Sequence, residues 1–71
     1  MSEIGLRAAE AIRTMAKENE TTSAFELDCL SITPSSLYQY QHCISAPSAV
    51  VLANMAKSGY DVLYILTGER K

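Results

Sequence analysis

The chain has 71 residues, 48% of them apolar, with a net charge of −2 and a pI near 5.2, which excludes the strongly basic domains that hold nucleic acid by charge alone. A chain this short makes one domain, 1–71, that buries only about 60% of its unfolded surface, so one small core is expected. Three Gly and two Pro are too few for a disordered chain, and no apolar run is long enough to span a bilayer.

From Glu3 to about Glu18, Ile4, Ala8, Ala11, Ile12 and Met15 recur at helical spacing, with Arg7, Glu10, Arg13 and Lys17 on the other sides. Asn19 to Thr22 form a connector. Ser23-Ala24-Phe25-Glu26 then has the form of a capping box, Ser23 bonding the amide of Glu26 while Glu26 reaches back, which starts a second helix near Ala24. Phe25, Leu27 and Leu30 are its expected apolar contacts. Ser31-Ile32-Thr33 turns the chain, with Ile32 buried, into a short helix capped by Thr33 and opened by Pro34. On that helix Leu37 and Tyr40 are expected to face inward and Ser35, Ser36, Tyr38 and Gln39 outward. After a loop at Cys43–Ala46, Pro47 suits the first turn of a fourth helix, which is mostly apolar, hence expected mostly buried, and which stops at Gly59. Asp61 caps a last helix, Val62 to Leu66, that ends at Gly68. The fold expected is all-α, five short helices.

Charge is unevenly spread. Lys17 and Lys57 bracket a segment without Lys or Arg, and from Cys29 to Ala56 there is no acid either, which leaves His42 as its one titratable nitrogen base. The start Met1-Ser2-Glu3 lacks the layout of a secretory signal, so a cytoplasmic protein is expected, with Cys29 and Cys43 as reduced, buried or half-buried thiols. Neither thiol, with His42, makes a metal site, because a tetrahedral zinc site needs four ligands at recognisable spacing. No carboxylate pair, nucleophile–base set or glycine-rich phosphate loop is present, so neither an enzyme nor a cofactor nor a small-molecule substrate is expected.

The run Ala46-Pro47, Leu52-Ala53 and Gly59-Tyr60-Asp61-Val62-Leu63-Tyr64-Ile65-Leu66-Thr67-Gly68-Glu69-Arg70, with Ile12, Met15, Leu30, Ile32, Leu37 and Tyr40 at apolar positions before it, resembles the phage repressor-like helix-turn-helix proteins of Cro and CI type. It departs from them in Leu27 where they usually have Ala, Ser31 where they have Gly, and Gln41 where they have Glu. The resemblance implies a lambda-repressor-like domain that binds an operator in double-stranded DNA as a homodimer and regulates transcription, its second and third helices forming the helix-turn-helix. It further implies that Ser35 and Gln39 read bases in the major groove with Ser36 and Tyr38 flanking them, and that Thr22, Ser23, Gln41, His42 and Ser45 are candidate phosphate contacts. The greasy C-terminal run separately suggests an exposed dimer contact at Tyr60, Leu63 or Tyr64. A different class on the same fold is a protein-interaction module, an antirepressor or oligomerisation domain, which the acidic pI and uncharged third helix would suit.

Overall fold

The computed structural model describes residues 3–69, all of whose regular structure is helical. Five helices follow one another: α1 (Glu3–Glu18), α2 (Ser23–Leu30), α3 (Pro34–Gln41), α4 (Ala49–Lys57) and α5 (Val62–Thr67). The longest, α1, is the platform on which α2, α3 and α5 lie, while α4 closes the other side against α2 and α5. Between them sits a core of Ala8, Ala9, Ile12, Leu27, Leu30, Ile32, Tyr40, Met55, Tyr60 and Ile65. Its α1 contribution is mainly alanine, and this lets α2, α3 and α5 come close to the α1 backbone. Gly5 marks the tightest approach: a Cβ there would run into the Ser45 carbonyl oxygen and crowd the Tyr40 backbone.

Four of the five helices end in the same way. In a Schellman ending the chain passes through one left-handed residue, whose amide and the next one reach back to carbonyls of the last turn. At the end of α1, Glu20 is left-handed, and the amides of Glu20 and Thr21 bond the Lys17 and Ala16 carbonyls. At α2 it is Ser31, with Ile32 bonding Leu27 at 2.9 Å; at α3 it is Cys43, with Ile44 bonding Gln39 at 2.9 Å. Only α4 uses the residue best suited to this, Gly59. In α2 the motif carries its usual apolar clasp, since Ile32 and Leu27 are both buried. In α3 the corresponding pair is Ile44 and Gln39, which cannot clasp, and Ile44 stays 66% exposed.

Helix starts follow the sequence less uniformly. Thr33, Ser48 and Asp61 cap α3, α4 and α5 by accepting the amides of Ser36, Val51 and Tyr64. The expected capping box at Ser23 does not form: Thr22 is the cap, accepting the Phe25 amide at 3.1 Å. Glu26 turns inward instead and is buried, while Phe25, expected inside, is 54% exposed. The apolar residues of α2 are spread round its circumference, so its phase is set by partners. The decisive one is Tyr60, whose hydroxyl donates to Glu26 Oε1 at 2.8 Å, with the Thr21 hydroxyl donating to Oε2. Pro47 lies before α4 and not in its first turn, because Ser48 takes the cap. Nor is α4 mostly buried: packed on one side only, it buries Met55 and leaves Val50 71% exposed. Cys29 is exposed and Cys43 half-buried.

Candidate nucleic-acid interface

Helix α3 is held from beneath by Tyr40, buried against α1, and by Leu37, which packs on the core edge. At its start, the Thr33 hydroxyl accepts the Ser36 amide at 3.1 Å and donates to the Ser36 hydroxyl at 3.0 Å. Burial, partly offset by a hydrogen bond from Ser36, raises the pKa of the Tyr40 phenol above its ordinary value, so this inner face stays uncharged. Ser36, expected outward with Ser35, is therefore half-buried and engaged in holding the helix. Ser35, Tyr38 and Gln39 are exposed.

The outer face is ordered by two side-chain contacts. Tyr38 and His42 lie one turn apart with ring centroids 4.2 Å apart and planes inclined by 40°. The Ser45 hydroxyl donates to Gln39 Oε1 at 3.1 Å, which fixes the amide so that its NH2 group is turned away from Ser45. Among the five candidate phosphate contacts, Thr22 and His42 are exposed, whereas Ser23, Gln41 and Ser45 are half-buried. Ser45 is better described as the residue that orients Gln39. Pro34, Ser35, Tyr38, Gln39 and Ile44 together line a shallow hollow on this face.

The electrostatics divide the molecule. Every residue from Cys29 to Ala56 is free of acidic or basic charge apart from His42, and this stretch includes all of α3. On the opposite flank of α1, a second hollow beside the start of α5 is lined by Glu10, Glu18, Asp61, Thr14 and Tyr64. Three carboxylates there repel a polyanion, whereas the α3 face does not.

The structure removes one of the three expected dimer contacts. Tyr60 is 7% exposed, a core residue whose hydroxyl is spent on Glu26, while Leu63 is half exposed and Tyr64 partly buried against the core. Arg7, read as a surface residue, reaches across to α5: its Nε donates to the Ile65 carbonyl at 2.9 Å and one terminal nitrogen to the Leu66 carbonyl at 3.3 Å. It thereby satisfies carbonyls at a helix C-terminus, where a cation is also favoured by the helix dipole. Ile44 and the orienting role of Ser45 also escape the sequence reading, since both depend on the way the α3 ending folds back. No helix among the described residues is long and apolar enough to cross a membrane. Compared with protein-family models, curated proteins and solved structures, the chain gives no significant match.

Proposed function

We propose that this chain is a sequence-specific DNA-binding regulator of Cro or CI type, with α2 and α3 as its helix-turn-helix and α3 entering the major groove. The observation that carries the reading is the division of α3 into a buried Tyr40 side and an exposed Ser35, Tyr38 and Gln39 side, reached through the short corner Ser31–Thr33. A helix presented in this way, with a fixed carboxamide at its centre, has the form of a base reader. A glutamine can pair with adenine through its amide nitrogen and oxygen together, and serine bonds to either base type. Thr22 at the start of α2 and His42 at the end of α3 are the exposed groups available to phosphates. In this reading the domain works as a homodimer, with Leu63 the most exposed of its α5 contacts and the two α3 helices about 34 Å apart, one turn of DNA. It is a non-enzymatic cytoplasmic protein that takes no metal or cofactor.

The reading is tested by following amide shifts on titration with mixed-sequence duplex DNA at low and then higher salt. Salt-sensitive shifts grouped on Thr22, Ser35, Tyr38, Gln39 and His42 are expected, and Gln39→Ala should weaken binding to a selected duplex by about tenfold or more while the domain stays folded. An unshifted spectrum of a folded protein would overturn it. One observation favours a second class, a protein-interaction module on this fold: Phe25, Ile44 and Val50 are large apolar residues more than half exposed on a small domain.

A further inference from the structure

We infer that the hollow formed by Pro34, Tyr38 and Ile44 beside Gln39 is a seat for the 5-methyl group of a thymine, an inference that rests on the DNA-binding reading above. Three features of the hollow define its occupant. Pro34 and Tyr38 form one row along α3, one turn apart, and Ser35 and Gln39 form the parallel row beside it. Ile44 closes the hollow at the C-terminal end of α3, delivered there by the left-handed Cys43 and pinned by the hydrogen bond its backbone N–H donates to the Gln39 carbonyl. Its side chain is 66% exposed and lies outside the core, and the residue its amide bonds in the helix ending, Gln39, offers it no apolar clasp.

The walls are therefore apolar, no ionised group lines them, and the rim carries a hydroxyl and a carboxamide. A charged ligand gains nothing there. A purely aliphatic side chain would fill the walls but leave the oriented amide of Gln39 unused. An A·T pair in the major groove meets both demands at once: adenine offers an acceptor and a donor to a glutamine amide, and thymine offers a methyl group beside them. Gln39 Oε1 already accepts from Ser45, but a carbonyl oxygen has a second lone pair for the adenine amino group. With Gln39 on adenine, the methyl of that pair or of the next along the groove falls toward the row of Tyr38 and Ile44. Ile44 then acts as a specificity residue, outside the helix that carries the hydrogen-bonding readers.

The test begins with duplexes selected from a randomised pool by the 71-residue chain. Each thymine of a selected duplex is replaced singly by deoxyuridine, which removes only the methyl group, and affinity is measured by fluorescence anisotropy for the native chain and for Ile44→Ala. One replacement should weaken binding by the native chain about fourfold, the value of one buried methyl. Ile44→Ala should lose that discrimination and bind both duplexes alike. Because Ile44 is largely exposed, the variant keeps its fold. Selected duplexes that ignore every deoxyuridine replacement, or an Ile44→Ala protein that discriminates as well as the native one, would overturn the inference and leave DNA binding standing. Failure of the folded chain to enrich any duplex would overturn both, and would give the hollow to a protein side chain instead.

Discussion

Gly5 is a residue whose role no local rule anticipates. A helix prefers alanine to glycine by about 1 kcal/mol at an interior position, so on propensity alone Gly5→Ala would strengthen α1. Against this, the added carbon would collide with the Ser45 carbonyl, and Tyr40 backbone atoms crowd it at 3.1 and 3.2 Å. Backbone cannot swing aside as a flexible side chain can, so the contact costs more than the propensity returns. Gly5→Ala is expected to lower stability in urea by about 1–3 kcal/mol. A variant more stable than the native chain would mean that α1 and the segment after α3 do not approach this closely. The same contact bears on function, since Ser45 is the residue that orients Gln39. Pushing it from behind would disturb the outer face of α3 through a residue on a different helix.

Helix endings are where the elements of this chain carry removable strain. Glu20, Ser31 and Cys43 all hold the left-handed conformation with φ between 56° and 59°, a region that costs a residue with a Cβ roughly 1–2 kcal/mol. Glycine escapes that cost but gives the unfolded chain more freedom, which takes back part of the gain. Ser31→Gly and Cys43→Gly should therefore each raise stability by about 0.5–1 kcal/mol, and the double variant should approach the sum if the two endings act independently. Urea midpoints measure this, and a fall in both variants would contradict the Schellman geometry. Gly59→Ala supplies the opposite sign, because it places a Cβ where φ is 92°. Cys43→Gly also bears on the α3 face, since Cys43 sets the direction in which Ile44 leaves the helix.

At the scale of the whole molecule, the bond from Tyr60 to Glu26 joins the α4–α5 corner to α2 across a separation of 34 residues. Burial first, then the hydrogen bond to Glu26 and the charges of Glu26 and Cys29, hold the Tyr60 phenol well above its ordinary range. In the unfolded chain the phenol ionises near pH 10, as tyrosines do. Above that pH the native state binds more protons than the unfolded one, so the stabilisation is fully present below about pH 10 and is lost as the pH rises from there through the native value. Tyr40, raised by burial, acts in the same direction. Urea unfolding followed from pH 8 to 11 should thus show a fall in stability setting in near pH 10. Tyr60→Phe should make that fall shallower, and at neutral pH should itself cost about 1–3 kcal/mol by leaving a buried carboxylate short of a donor. An unchanged alkaline slope in this variant would show that the phenol is not held in this way.

Much of this architecture was legible along the chain because the signals involved are local. The bounds of α1 follow from apolar spacing, the caps at Thr33 and Asp61 from short side chains that accept an amide a few residues on, and the uncharged stretch from Cys29 to Ala56 from reading alone. The division of α3 into inner and outer sides was also readable, apart from Ser36, which the cap draws inward. Tertiary structure alone decided what depends on residues far away in the sequence. Phe25 and Glu26 are neighbours on a helix with no dominant apolar face, and which of them enters the core is settled by the hydroxyl of Tyr60. Arg7 has the appearance of a surface charge until the end of α5 arrives beside it with unpaired carbonyls. Pattern and propensity fix which stretches are helical and which side of a strongly two-faced helix turns inward. The phase of an evenly apolar helix, the need for a glycine, and the partner of a buried charge are fixed only when the helices meet.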